Sequence, residues 1–205
     1  MLKASAQKGP TGTKARIVEA ALETLREEGF AGASARAIAR RGGFNQALVF
    51  YHFGSVTNVL VAALDESSAR RMAAYGSALD ELSGSGLEEL VVLAMGLYRE
   101  DLASGHITVV TELIAGSLAD PELKSAIASR VEQWVDLAET AVAGALEGSP
   151  LGGIIPSRDL AYGIVAMYLG VEMLSQLQDD DERVNALFAT TQAVGTMFSG
   201  LMGAS

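Results

Sequence analysis

The fold is decided by residues 34–53, which read SARAIARRGGFNQALVFYHF. A short basic segment, a Gly-Gly pair and a second short segment rich in aromatic side chains follow one another. Ser34 is a typical helix N-cap, because its side-chain oxygen can accept a backbone N–H of the first turn. Gly42 and Gly43 stand where a helix ends in a left-handed conformation, and Asn45 is placed to cap the next helix. The stretch therefore predicts two short helices joined by a tight turn.

Two helices joined by a glycine-containing turn form a helix-turn-helix, whose second helix fits the major groove of DNA. In the first helix we expect Ile38 and Ala39 to face inward. The arginines expected to face outward are Arg36, Arg40 and Arg41. The side chains of the second helix that are expected to reach outward are Gln46, Tyr51 and His52. This pattern is typical of a binding device and not of a catalytic site.

The charges divide the chain into a basic head and an acidic body. Residues 1–54 hold eight basic and four acidic residues, a net charge of +4. The remainder holds seven basic and 21 acidic residues, a net charge of −14. Such an asymmetry presents one face to phosphates and orients the molecule during an encounter. Taken alone, the pattern also fits an ordinary solvated surface.

Composition sets the class of protein. Of the 205 residues 49% are hydrophobic and 20% are charged, which excludes global disorder. The absence of cysteine excludes disulfides and thiolate metal sites. The polar first residues lack the apolar core of a secretion signal, and the longest apolar run, 161–171, is shorter than the ~20 residues that span a bilayer. We therefore expect a cytoplasmic protein that does not enter the membrane.

Apolar periodicity predicts helices throughout and no strand. The expected helices are residues 13–28, the two short helices within 34–53, and 56–82, 87–103, 106–118, 121–147, 158–178 and 183–201. Ser55, Asp120 and Ser157 are predicted helix caps. Gly29 is expected to end the first helix and Phe30 to enter the core of the head. Residues 83–86, SGSG, form the clearest break in composition.

The first third of the chain carries a family resemblance. Its motifs are IVEAALETL (17–25), Gly29-Phe30, Ser34-x-Arg36-x-Ile38-Ala39, GFNQALVFYHF (43–53), and Ser55 with Val59-Leu60. In motif, spacing and helix pattern they resemble the tetracycline-repressor (TetR) family of bacterial transcription regulators. The resemblance implies an all-α protein of about nine helices. A mobile arm (1–10), a three-helix helix-turn-helix DNA-binding domain (11–71) and a larger ligand-binding and dimerisation domain (72–205) are expected.

The resemblance implies that Arg36 and Gln46 contact DNA bases. The chemistry agrees, because arginine can bond guanine O6 and N7 and glutamine can bond adenine N6 and N7. Ala47 and Leu48 are expected to pack on thymine methyl groups. These four residues form the predicted base-reading set.

Phosphate contacts are implied for Ser34, Tyr51 and His52. The alternative for Tyr51 and His52 is that their rings complete the core of the head. The family usually has a lysine after the serine that begins the fourth helix, where this chain has Val56. Anchoring to phosphate must then come from elsewhere, such as the lysines of the N-terminal arm, or DNA binding is weaker.

A dimer is expected, because two heads must occupy two half-sites of DNA. The last two helices resemble the family's dimerising pair, with small residues allowing close approach: Gly163, Gly170, Gly195 and Gly200. The alternative is that these helices complete the core of the monomer.

A small, largely apolar effector is expected among the central helices, with the candidate residues Met95, Tyr98, His106, Thr108, Glu112, Trp134, Met167, Tyr168 and Met173. For each candidate, core packing is the alternative, and Glu172 has the same ambiguity as Glu112.

The predicted function is sequence-specific transcription regulation, most simply repression of a palindromic operator that the effector relieves. An effector-independent DNA-binding or interaction protein is the alternative. A helical enzyme is a remote third, because the acidic cluster 179–182 is followed by Arg183 and has no second acidic cluster as a counterpart. No cofactor, metal or membrane partner is expected.

Overall fold

A computed structural model describes residues 12–81, 87–147, 153–178 and 181–202. In these ranges the chain forms nine helices and no strand: α1 Thr13–Gly32, α2 Ala35–Gly42, α3 Ala47–Phe53, α4 Val56–Glu81, α5 Leu87–Ser104, α6 His106–Ser117, α7 Pro121–Leu146, α8 Ser157–Gln178 and α9 Asp181–Met202. The all-α prediction is confirmed. The predicted arm 1–10, the linker 83–86 and the first two aspartates of the acidic cluster lie outside the described residues.

Side-chain caps fix where several helices begin, as the sequence predicts. Ser34 accepts a backbone N–H of the first turn from Ala37 at 3.2 Å, Ser55 from Asn58 at 3.0 Å and Asp120 from Leu123 at 3.1 Å. Asn45 differs from its prediction: it accepts the N–H of Ala47 at 2.9 Å, but the N-cap of α3 is Gln46. Ser157 differs from its prediction. It is the first residue of α8, and its hydroxyl donates to Glu139 Oε1 at 3.2 Å.

Gly29 makes a corner inside α1. Its backbone has φ +66° and ψ −178°, so the last turn, which reaches Gly32, follows a break and does not continue the helix. A side chain at Gly29 would strain the backbone, because glycine alone adopts this positive φ readily. A β-carbon there would also lie 2.8 Å from Glu112 Oε2. The predicted end of the regular helix at this residue is confirmed, although helical turns resume after it.

The chain divides into two compact units. The first comprises residues up to Ser68 together with Thr108–Ile127, and the second comprises Ala69–Ile107 and residues from Ala128 onward. Most of α6 and the start of α7 therefore belong with the head, which the sequence did not indicate. The predicted functional boundary at residue 71 stays a prediction, because these units are defined by packing alone.

The first unit has a small apolar core that holds the helix-turn-helix. The fully buried side chains around the helix-turn-helix include Ile17, Leu22 and Leu25 of α1, Ile38 of α2, Val49 of α3 and Val59 of α4. Each such burial stabilises the fold by about 1.5–3 kcal/mol relative to exposure. Ile38 and Ala39 face inward as predicted. The core fixes α2 and α3 and leaves their other faces in solvent.

Helix α6 receives the corner of α1. The backbone N–H of Phe30 donates to Glu112 Oε2 at 2.7 Å. One turn further along α6, the Phe30 ring lies so close to Gly116 that a β-carbon there would approach ring carbons to 2.5 Å. Phe30 therefore packs against α6, whereas the sequence predicts it in the core of the head.

Replacing Glu112 by alanine is expected to destabilise the first unit. The N–H of Phe30 would lose its acceptor, which lowers the free energy of unfolding by about 1–3 kcal/mol. Glu112→Gln keeps an acceptor oxygen and should retain most of the stability. Urea denaturation followed by circular dichroism measures both changes. Glu23→Ala, an exposed change on α1, is the control, and a midpoint for Glu112→Ala equal to that of the control would disprove this role.

The second unit contains its own core, in which Tyr98, Ile107 and Val184 pack with Tyr168, Val171 and Phe188. Two carboxylates, Asp101 and Glu172, are also buried in it. In the parts of the chain that the structure describes, no single helix is long and apolar enough to cross a membrane, and only α3 and α4 taken together as a bent pair meet that test.

Candidate functional site

Helix α3 presents one face to solvent. Gln46, just before its first residue, and Ala47 are exposed, whereas Leu48 is half-buried. Val49 is fully buried and anchors the helix in the core. Gly43, at φ +67°, ends α2 in the left-handed conformation that the sequence predicts. The predicted base-reading residues of α3 thus lie on a helix whose opposite face is packed in the core.

Arg36 lies in the first turn of α2, close in sequence to the Ser34 cap, and its side chain is exposed. Within the described ranges it makes no ion pair with a carboxylate. An arginine without a partner in the described part of the chain keeps its donors available for a base or a phosphate. The base contact itself stays a prediction.

The other two arginines of α2 are occupied by the end of α1. Arg41 contacts Glu27 Oε2 at 2.7 Å and Glu28 Oε1 at 3.1 Å, and Arg40 contacts Glu28 Oε1 at 3.0 Å. Hydrogen bonds from Arg41 and then Arg40 lower the pKa of the Glu28 carboxyl. The prediction that Arg41 faces outward is wrong, because only 20% of its side chain is exposed. Arg36 is thus the arginine of α2 that has no carboxylate partner among the residues that the structure describes.

The aromatic end of α3 is open to solvent. Tyr51 is 81% exposed, which contradicts the alternative that its ring completes the core. His52 is half-buried, and its ring meets Tyr51 edge-on with the centroids 4.9 Å apart. Tyr51 is therefore accessible to a phosphate, and the phosphate contacts of Tyr51 and His52 stay predictions. Val56, where the family usually has lysine, is half-buried at the start of α4.

The predicted effector residues do not form a single group. Thr108 and Glu112 belong to the first unit, where the Glu112 carboxylate holds the corner of α1. The other seven belong to the second unit. Among these, Tyr98 and His106 are buried, Met95, Trp134 and Tyr168 are half-buried, and Met167 and Met173 are exposed.

Aromatic rings connect several of the candidates in the second unit. Tyr98 meets Tyr168 edge-on at 5.6 Å, and His106 lies 5.8 Å from Trp134. Tyr75 of α4 meets Trp134 edge-on, with the ring centroids 5.3 Å apart. The Tyr98 hydroxyl donates to Glu172 Oε2 at 3.0 Å, so this buried glutamate has a protein donor.

Asp101 is the residue that sequence reasoning missed. It is 1% exposed, and its carboxylate accepts hydrogen bonds from the hydroxyls of Tyr75 and Tyr168 and forms an ion pair with Arg71. Burial raises the pKa of both tyrosines, and the Asp101 carboxylate raises it further, so both hydroxyls stay protonated and donate. The available signal was an aspartate within the apolar periodicity of α5, together with Arg71 and Tyr75 one turn apart on α4.

The last two helices carry an exposed apolar surface. Exposed large apolar side chains on α8 and α9 are Tyr162, Met167, Met173, Leu174, Leu177, Leu187, Val194 and Met197. A β-carbon at Gly163 or Gly170 would meet nothing within 4 Å. Nothing is described of the surroundings of Gly195 and Gly200. The alternative that these helices only complete the core of a monomer leaves this surface unexplained.

Comparison with known proteins identifies the motif. Residues 17–63 match the family model described as bacterial regulatory proteins of the tetR family. The HTH-type transcriptional repressor AcnR of Corynebacterium glutamicum is 30% identical over 127 residues, which cover 62% of this chain and 58% of that repressor. The chain spans about three fifths of the length of the curated relatives that it matches.

Solved structures share the whole fold. The fatty acid degradation regulator FadR from Bacillus halodurans matches with a TM-score of 0.74 at 20% identity, covering 92% of this chain and 96% of that one. FadR from Bacillus subtilis, in complex with stearoyl-CoA, matches with a TM-score of 0.70 at 14% identity, covering 89% and 97%. These likenesses show the fold, and the relatives are regulators and not enzymes, as the sequence predicts. Residues 17–63 thus carry the motif of the tetR family of bacterial regulatory proteins, within a fold shared with solved regulators.

Proposed function

We propose that this protein is a sequence-specific transcription regulator that represses by binding DNA. The observation that carries the proposal is the exposed pair Arg36 and Gln46, which stand on a helix-turn-helix fixed by its buried face. Side chains presented in this way can reach base edges in the major groove. Tyr51 and the Ser34 end of α2 supply contacts to phosphate, which position the head without reading sequence.

Binding is proposed to require two copies of the chain. One head reads one half-site, so a two-fold symmetric dimer reads a palindromic operator. The exposed apolar side chains of α8 and α9 support this arrangement, because a surface of that kind on a regulator is a typical site of self-association. Gly163 and Gly170 have open space around them and would allow the helices of two copies to approach closely.

The second unit is proposed to bind a small effector that releases the operator. The relative in complex with stearoyl-CoA supports this in general, since it has the same fold. Helix α4 contributes residues to both units and is the expected route of coupling. A ~100-fold loss of operator affinity requires about 2.7 kcal/mol of differential binding, and DNA must then weaken effector binding by the same factor.

A gel-shift experiment with the intergenic DNA beside the protein's own gene tests the proposal. We expect a specific complex that survives excess scrambled competitor, weakens as salt is raised, and dissociates with one member of a compound panel. Binding to scrambled DNA with equal affinity would contradict sequence-specific regulation. A specific complex that no compound affects would favour the effector-independent alternative.

A further inference from the structure

The Asp101 site already binds a cation, namely the protein's own Arg71. The Arg71 guanidinium pairs with Asp101 and also lies over the Tyr75 ring, with its central carbon 5.8 Å from the ring centroid. A buried carboxylate beside an aromatic face is the combination by which proteins bind organic cations. Here it is formed inside the second unit by residues of α4 and α5.

The aromatic surroundings extend beyond what Arg71 uses. Tyr168 of α8 donates to the same carboxylate, and Trp134 of α7 meets Tyr75 edge-on at 5.3 Å. His106 continues the aromatic group at 5.8 Å from Trp134. Two tyrosines thus contact the carboxylate directly, and Trp134 and then His106 extend the aromatic group from Tyr75. A flat organic cation finds both a counter-charge and ring faces in such a place.

Another cation could replace Arg71 beside Asp101, but Arg71 cannot leave without such a replacement. A buried Asp101 without a cation would cost several kcal/mol, so whatever displaces Arg71 must itself bring a positive charge. An anion could not take that place, since it would meet the Asp101 carboxylate and, beside it, Glu100, which contacts Arg71 at 3.5 Å. The arginine side chain is long and sits on α4, so its departure changes how α4 is held to α5.

We propose that Asp101, with Tyr75, Trp134 and Tyr168, is a cation subsite in which Arg71 occupies the place of a ligand. The ligand class is an organic cation that joins an amidinium or ammonium group to a flat apolar body. That this ligand acts as the effector rests on the proposed function. The existence of the subsite does not, because it is a property of the second unit alone.

Benzamidine is the probe, since its amidinium has the planar donor pattern of the Arg71 side chain. Benzamide and benzoate are its neutral and anionic counterparts. Each is titrated into the full chain by calorimetry and by the emission of Trp134, the chain's one tryptophan. We expect benzamidine to bind Arg71→Ala about tenfold or more tightly than the wild type, because the internal competitor is removed. Benzoate should bind neither, and Asp101→Asn should abolish benzamidine binding to the Arg71→Ala protein.

Arg158→Ala is the matched control. Arg158 also pairs with carboxylates of the second unit, Glu132, Asp136 and Glu139, but at an exposed site. An equal gain in benzamidine affinity for Arg158→Ala would overturn the proposal, as would equal binding of benzoate or no gain for Arg71→Ala. Thermal melts check that each variant is folded. If Arg71→Ala is unfolded, the wild type is titrated at millimolar concentration instead. Binding of benzamidine but not of benzoate upholds the subsite, and the absence of this selectivity overturns it.

The gel shift without any probe tests the proposed function separately. A protein that binds benzamidine as expected but fails to bind its operator keeps the subsite and loses the regulatory role. A protein that binds its operator but shows no preference for the cation loses the subsite only.

Discussion

Replacing Arg36 by alanine is expected to weaken operator binding by about 1–3 kcal/mol per half-site and to relax the preference for one base pair in each half-site. The reason is that Arg36 is exposed and has no carboxylate partner in the described part of the chain, so its bidentate donors are available to guanine. A dimer makes the contact twice, so the two half-site losses add in the full operator. Competition binding against duplexes with single base changes measures both effects.

The matched control for Arg36→Ala is Arg40→Ala. Both arginines lie on α2 and are exposed, but Arg40 is paired with Glu28. Its loss should leave the base preference unchanged. Gln46→Ala should relax a different position, one that prefers adenine. If Arg36→Ala instead lowered the affinity for every duplex equally, its role would be a phosphate contact and the base-reading account would be wrong.

A glutamate at Leu177 is expected to separate the dimer and to lower operator affinity by about 10²–10⁴-fold, the range by which a second linked head strengthens binding. Leu177 lies on α8 and is 80% exposed in the single chain, as part of the apolar surface of α8 and α9. A charge there can remain solvated only if the two copies separate. The molecular mass in solution, measured by light scattering, gives the assembly state, and gel shift gives the affinity.

Leu118→Glu is the matched control for this change. Leu118 is 81% exposed, but it follows α6 in the first unit and lies outside the proposed interface. This variant should remain dimeric and bind the operator as the wild type does. A wild-type protein that is monomeric, or a Leu177→Glu protein that remains dimeric, would contradict the proposed interface.

The sequence predicts the structural features that depend on residues close together along the chain. Ser34, Ser55 and Asp120 cap helices as expected, because a cap is a contact within one turn. The inward face of α2 follows from its apolar spacing, and the turn after it from its glycines. The exposed Arg36 and Gln46 follow from the same local pattern, so the main elements of the candidate DNA interface could be found without a structure.

Contacts between distant segments could not be predicted in this way. Glu112 was a candidate for effector binding, yet it accepts the N–H of Phe30, 82 residues away in the chain. Arg41 was expected in solvent, but the path of the chain brings it to Glu27. Asp101 gave no motif, because its partners come from two other helices, Arg71 and Tyr75 from α4 and Tyr168 from α8. Such pairings depend on tertiary packing, which a periodic pattern does not specify.

Sequence-specific DNA reading by Arg36 and Gln46 is tested by selection of bound duplexes from a random DNA pool, followed by sequencing. We expect an inverted repeat whose half-sites lie about one helical turn, or a fixed larger spacing, apart. A protein carrying Arg36→Ala and Gln46→Ala should no longer enrich the specified bases. A pool with no enriched repeat, or the same repeat selected by the doubly substituted protein, would disprove base reading by these two residues.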